Sequence, residues 1–396
     1  MPDLMHNFNS LRPDPRLADL LAEYPATLFN ERLYQSMELT DRYCLDLAID
    51  LLQRLRVAPQ LNHWNSVADL CRNLDFSPRF HSALAWLLER LLTARLLAAR
   101  EQDGIRHYRL QGAWHQPELE QLRAMGLAID PANAATLDLL TAAAAAYPAV
   151  AKGVSSGEEA LFAGGNSSLW LAYFHNHNPS YAVNNWVSAI AAAKRLANKP
   201  GLRILEVGAG AGSGTEALLQ VLAEYYPACR IERYRVTEPS PFLRRRSERA
   251  LKANYRQLPL EFHALDIDKP WDSQGATKAD FDLVYAVNTL HVAYDLKFSL
   301  SEARATLAPG GWLVAGECLR PFPGQPIYIE LVFQLLDSFT NVATDPESRP
   351  NPGFLTAQQW RRALAGAGFE HVQVTPEQER IREIYPRSFI GAVCGC

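Results

Sequence analysis

The run ILEVGAGAGSGT, Ile204 to Thr215, decides the fold. Apolar residues surround one acid, Glu206, and glycine then stands at positions 208, 210, 212 and 214. The apolar part reads as a buried strand and the following GTEALLQVLAEYY as a helix. Glycines between a strand and a helix let the backbone turn sharply and approach a ligand with no Cβ in the way. The same pattern also serves as a tight turn in an ordinary α/β protein, so its surroundings must choose between the two.

Downstream, short apolar runs alternate with helical stretches: LRILEVG, RIERYRVTE, LEFHALDI, FDLVYAVN, GWLVAGEC, EHVQVTP and SFIGAVC. Near-continuous apolar runs are what buried parallel strands require, and their alternation with helices predicts a doubly wound α/β sheet. Upstream the rhythm is helical. ERLYQSMELTDRYCLDLAIDLLQRL has apolar residues at helical spacing. Ser66 suits a helix cap, Pro78 suits a helix start, and Asp103-Gly104 between two extended runs signals a hairpin. Helix, turn, helix and two-stranded wing predict a winged helix. TAAAAAYPAV reads as a helix stopped by its proline. The expected organisation is therefore a winged-helix-like domain over 1–115, a helical connector over 116–165 and an α/β domain over 166–396, with GVSSGEEALFAGGNSS marking the boundary region.

Composition narrows the function. A winged helix invites a DNA-binding reading, but residues 60–110 hold seven arginines and no lysine against five acids, and the would-be recognition helix is heavily apolar. That is a thin cationic balance for gripping phosphates, and the net charge of the chain is -4. No nucleic-acid partner is expected, and dimerisation or a pocket wall is the better reading of the module. No apolar stretch reads as long enough to span a bilayer, so no membrane partner is expected. The N-terminal MPDLMHNFNSLRPDPRL lacks a basic-then-apolar leader pattern. Six scattered cysteines without a CxxC pair predict reduced thiols and a cytoplasmic setting. His175 and His177 have no third ligand at metal-like spacing, so no metal is expected.

The strand edges favour a cofactor. In open α/β sheets ligands bind beyond the carboxyl ends of the strands. Glu238 follows the strand RIERYRVT and suits two ribose hydroxyls; Asp266 stands at the edge of LEFHALDI, beside Ile267, within reach of an adenine amine. Acids beside the glycine loop disfavour a pyrophosphate and favour a ligand with a positive centre, such as the sulfonium and ammonium of S-adenosylmethionine. Glu206, Gly208, Gly210 and Gly212 form the expected cradle, and Asn288 is placed near the methionine end or in a turn.

With these residues in hand, ILEVGAGAGSGT, LDIDKPWDSQGATKADFDLVYAVNTLHVAYDL and LAPGGWLVAGE resemble the motifs of class I S-adenosylmethionine-dependent methyltransferases. More narrowly they are similar to the C-methyltransferase domains of polyketide synthases, from about Leu161 to the C-terminus, including YAVNNWV and LTAQQWRRALAGAGFEHV. The resemblance implies a Rossmann-like, seven-stranded, mostly parallel sheet. His291, just after one strand end, and Glu317, at the end of the next strand, are 26 positions apart and match that family's catalytic dyad. A carboxylate on one imidazole nitrogen raises the basicity of the other. Tyr181 is a candidate for covering the cofactor or orienting a substrate carbonyl. RPFPGQPIYIELVFQLLDSF suggests a lid helix carrying Phe333 and Phe339, although the resembled family carries a glycine and paired tryptophans there and this chain has neither.

The leading expectation is C-methylation of an activated carbon, such as a β-ketoacyl α-carbon, on a small molecule or on an acyl carrier protein. The alternative is O-methylation of a small hydroxylated or carboxylic metabolite, because the N-terminal module resembles the dimerising domain of O-methyltransferases and allows a homodimer. A third reading is a regulator or scaffold that retains the fold without catalysis.

Overall fold

The computed structural model describes residues 15–22, 24, 25, 28–162, 166–196, 199 and 201–396. The leader reading above concerned a segment lying almost wholly outside them, and residues 163–165 of the expected boundary region also lie outside. The described residues form two compact units, neither continuous in sequence: those within 34–173 and 322–341 make the first, those within 15–33, 174–321 and 342–396 the second.

The first unit is mainly helical. Helix α1 (Glu31–Arg54) enters it, followed by the two-residue strand β1 (Asn65–Ser66), α2 (Val67–Asn73), α3 (His81–Thr93), β2 (Leu97–Gln102) and β3 (Ile105–Leu110). The three strands form one sheet in the order β1-β3-β2. Ser66 caps α2 by a reciprocal pair of bonds with Asp69, so two of the helix's otherwise orphaned donors are satisfied. The β2–β3 turn is tight because Asp103 and Gly104 both take positive φ, 53° and 75°, which a two-residue hairpin needs. Helices α4 (Leu119–Ile129), α5 (Ala134–Ala151), α6 (Gly157–Phe162) and α7 (Ser167–Tyr173) complete the run before the second unit.

Helix α5 corrects two expectations. It continues three residues past Pro148 instead of stopping there. The proline falls in the last turn, where it removes one N–H while its own carbonyl accepts from Lys152 N–H at 3.3 Å. In addition, Pro131–Ala151 is long and apolar enough to cross a membrane by length and composition alone, contrary to the reading of the sequence. In this structure it buries Leu137, Leu140, Ala143 and Tyr147 within the first unit, and the Tyr147 hydroxyl donates to the Leu331 carbonyl at 2.7 Å.

The second unit holds the predicted α/β sheet. Helix α8 (Pro179–Leu196) precedes β4 (Leu202–Val207), α9 (Ser213–Tyr225), β5 (Ile231–Thr237), α10 (Pro241–Asn254), β6 (Leu260–His263), β7 (Phe281–Val287), α11 (Leu296–Thr306) and β8 (Leu307–Cys318). The short helices α12 (Glu330–Phe333) and α13 (Asp337–Thr340) return to the first unit. Then come α14 (Ala357–Gly366), β9 (Gln373–Thr375), α15 (Gln378–Ile384) and β10 (Ile390–Gly395). The seven strands run β6-β5-β4-β7-β8-β10-β9, with β10 antiparallel to both neighbours. On one face Leu205, Val284, Leu300, Leu313, Trp271 and Trp360 form a continuous core. On the other, α8 packs on β8, and Gly316 allows this: a Cβ there would lie 2.8 Å from that of Ser188.

Two boundaries differ from expectation. Strand β6 ends at His263, so Asp266 sits in the loop beyond it and not at the strand edge. The expected lid helix is broken into α12 and α13. The break falls at Leu336, which is extended, beside a Leu335 carbonyl packed so close to Gly157 that any Cβ there would collide.

Because the Ser66–Asp69 box carries the start of α2, Ser66→Ala should cost about 1 kcal/mol of stability. A urea unfolding midpoint unchanged from that of the wild type would contradict this.

Candidate active site

The loop between β4 and α9 is held from three sides. Gly208 (φ 68°) lies against the end of β7, where a Cβ would come within 2.3 Å of the Thr289 methyl, and the Thr289 hydroxyl donates to the Gly208 carbonyl at 3.2 Å. Gly210 (φ 55°) differs: nothing lies within 4 Å of where its Cβ would be, so the loop presents bare backbone to open space there. Gly212 forms the N-cap of α9. Glu206 stands beneath the loop, 1% exposed, accepting from the Thr215 hydroxyl at 2.6 Å and the Tyr234 hydroxyl at 2.7 Å. Burial pushes its carboxyl up to about 7, against the opposing pull of those two hydroxyls.

Glu238 is the acid nearest the loop. It receives the Gly210 N–H at 3.0 Å on one carboxylate oxygen and the Ser240 N–H at 2.9 Å on the other. Burial raises its pKa although both amides favour the charged form. A carboxylate has about four acceptor positions, so two backbone bonds leave it able to receive a pair of vicinal hydroxyls. Asp266 is half exposed; it accepts from Lys269 Nζ at 2.8 Å and the Asp268 N–H at 3.1 Å, and the Lys269 ion pair lowers its pKa. Its backbone is clamped by Gln274, whose side chain both accepts from the Asp266 N–H and donates to its carbonyl. Ile267 packs against the core, its carbonyl accepting from Trp271 Nε1 and the Ser299 hydroxyl.

His291 and Glu317 meet because β7 and β8 are parallel neighbours, with Val287 opposite Gly316. His291 lies in the 3-10 turn Leu290–Val292 after β7, and its Nδ1 is 2.7 Å from Glu317 Oε2. The other carboxylate oxygen accepts the Leu290 N–H at 3.0 Å. Both side chains are buried, Glu317 wholly so. A carboxylate in this position selects the tautomer with the proton on Nδ1, which leaves the lone pair on Nε2. Asn288 takes a left-handed backbone (φ 49°), donates its N–H to the Gly316 carbonyl at 2.7 Å and accepts from the Cys318 thiol at 3.5 Å. Tyr181 on α8 is buried, its hydroxyl 3.4 Å from that of Ser213 at the start of α9, and burial raises its pKa to about 12.

Two residues around the pair have no signal in the sequence. Arg349 is fully buried and donates to the carbonyls of His291 and Ala293, each at 2.6 Å. The Phe354 ring packs on the imidazole with centroids 4.6 Å apart. Phe333 and Phe339, by contrast, belong to the first unit, where Phe333 stacks on Trp170 and touches Phe339. His175 and His177 pack ring on ring, and among the described residues no three His, Cys, Asp or Glu side chains gather as a metal site.

The open backbone at Gly210, the acceptor capacity of Glu238 and the buried imidazole–carboxylate pair fit a nucleoside cofactor beside a reacting centre. Comparison with known proteins agrees. A family model described as a methyltransferase domain matches residues 205–313. The non-reducing polyketide synthase dpmpA of Macrophomina phaseolina (strain MS6) is 29% identical over 319 residues, covering 79% of this chain and 14% of that protein. The polyketide synthase ThaQ of Burkholderia thailandensis is 29% identical over 250 residues, 61% of this chain and 12% of that one. The chain thus spans only a small fraction of the curated relatives it matches. Among solved structures, the CurJ carbon methyltransferase superposes with a TM-score of 0.79 at 25% identity, covering 96% of both chains. The DszA carbon methyltransferase shares the fold, with a TM-score of 0.73 at 23% identity over 98% of this chain and 94% of that one.

Two measurements probe this geometry. The carboxyl of Glu206 is raised on folding, so the folded chain binds more protons than the unfolded one between the ordinary carboxylate pKa and about 7. Its contribution to stability is then complete below that window and lost as pH rises through it, on the order of 3 kcal/mol in all. Glu206→Gln, which retains an acceptor for Thr215 and Tyr234, should flatten the fall in urea midpoint between about pH 4.5 and 7; an unaltered slope would count against the assignment. Gly210→Arg fills the open face of the loop, and calorimetry should then detect no S-adenosylmethionine binding in a protein that still folds.

Proposed function

From the premise that this chain carries an S-adenosylmethionine-dependent methyltransferase domain, we propose that it methylates an acidic carbon, such as the α-carbon of a β-ketoacyl thioester. The observation that carries the reading is the 2.7 Å bond between His291 Nδ1 and Glu317 in a buried setting. Methyl transfer from a sulfonium needs an electron-rich nucleophile held in line with the methyl carbon. A carbon between two carbonyls becomes such a nucleophile once its proton is removed. His291 takes that proton at Nε2, and Glu317 stabilises the imidazolium that results. The charge left on the substrate spreads onto its carbonyl oxygens. When bound, S-adenosylmethionine supplies the electrophilic methyl group.

The remaining residues hold the partners in place. Glu238 receives the ribose hydroxyls, and the backbone at Gly208, Gly210 and Gly212 lies along the methionine side. Asp266 and Ile267 flank the adenine, while Asn288 and Tyr181 border the methyl-transfer side. Carbon is favoured over oxygen by the similarity to a carbon methyltransferase along nearly the whole chain and to polyketide synthases by sequence. The acceptor is a β-ketoacyl group offered as a free small thioester or on a carrier protein.

The decisive experiment supplies the purified chain with S-adenosylmethionine carrying a carbon-13 methyl and with an acetoacetyl pantetheine thioester. Carbon NMR should place the label on carbon; label only on oxygen, or none, would overturn the proposal. His291→Ala should lower kcat by on the order of 10² to 10⁴ while cofactor affinity stays near that of the wild type. A variant turning over at the wild-type rate removes His291 from the mechanism.

A further inference from the structure

We infer that Arg349 is a positioning residue for the His291–Glu317 pair, acting through the main chain of the turn that carries the imidazole. This rests on the reading of His291 as the base. The guanidinium forks: one terminal nitrogen donates to the His291 carbonyl and the other to the Ala293 carbonyl, both at 2.6 Å. These are short, charge-assisted bonds, about twice as strong as neutral ones. The turn is only three residues long and α11 begins only at Leu296, so the His291 and Ala293 carbonyls lie outside any regular helix. Arg349 satisfies two of them with one rigid, planar group.

The segment that delivers Arg349 is itself locked. Asp345 and Arg349 exchange both backbone bonds at 2.9 Å, closing a tight loop. The Asp345 carboxylate caps that loop by accepting from the Glu347 and Ser348 N–H groups and from the Ser348 hydroxyl. The Ala343 N–H donates to the Tyr294 carbonyl at 2.8 Å, and the Tyr294 N–H donates to Asp268 at 2.8 Å. With Phe354 against the ring, the turn is held from residue 291 to residue 294 by groups remote in sequence.

Arg349 is itself a buried cation flanked by carboxylates. A cation is costly to bury, and burial lowers its pKa to about 10, opposed by the charges of Glu317, Asp268 and Asp295. Glu317 comes from β8, Asp268 from the loop after β6, and Asp295 caps α11.

The test uses the full chain with Arg349→Met and Arg349→Lys. A displacement of about 1 Å at a reacting group costs on the order of 10²-fold in rate. Arg349→Met should lower kcat by roughly 10- to 10²-fold on that basis. KM for the acetoacetyl thioester and the dissociation constant of S-adenosylmethionine should remain within about twofold, well inside a one-decade affinity change. Arg349→Lys keeps the charge but not the fork, so its kcat should stay reduced while KM and cofactor affinity remain near those of the wild type. If Arg349→Met does not fold, Arg349→Lys decides alone, and a wild-type kcat in it overturns the inference. So does an Arg349→Met enzyme whose kcat is unchanged, or whose KM rises as much as its kcat falls. Failure of the underlying reading looks different: His291→Ala would then retain activity whatever Arg349 does.

Discussion

The parallel pairing of β7 with β8 is the constraint from which the site follows. It sets Val287 opposite Gly316, so the residues just past one strand end lie beside the last residues of the other. Glu317 can then reach His291 across a single strand spacing, although 26 positions separate them in sequence. The same register puts Gly316 beneath α8, where only a residue without a side chain lets Ser188 approach. Helix α8 is thereby brought against the sheet, and its first turns place Tyr181 beside the start of α9. The close approach of that helix and the alignment of the dyad are two results of one strand pairing.

The loop after β4 depends on the sheet in a similar way. Its floor is Glu206, a strand residue whose carboxylate ties Thr215 of α9 to Tyr234 of β5. Its edge is Glu238, which takes a backbone N–H from the loop and another from the start of the next helix. Two acids with different duties therefore flank the glycines. One is sealed inside and stabilises the turn from below; the other has acceptor capacity left over for a ligand.

Much of this was legible in the sequence, for physical reasons that also explain the misses. Strands β4, β7 and β8 are largely buried on both faces, so they appear as near-continuous apolar runs, and the residues just beyond them could be placed on one edge. The pairing of His291 with Glu317 follows from that edge. The extent of β6 was harder, because HALD continues the apolar alternation after the ladder has ended. The break between α12 and α13 is invisible locally: the Leu335 carbonyl beside it packs against Gly157, far away in the chain. Arg349 carried no signal because its partners are carbonyl oxygens some 58 positions away, which every residue type possesses.

The main-chain anchorage by Arg349 governs how the turn can change. The bonds from Arg349 are made to main-chain oxygens, so they do not specify the side chains at Val292 or Ala293. Val292 is half-buried and can be altered while the imidazole's anchorage is preserved, whereas Ala293 is fully buried and has no room for a larger side chain. Rigidity of the imidazole and variability of a neighbouring side chain are thus assigned to different atoms of the same short turn.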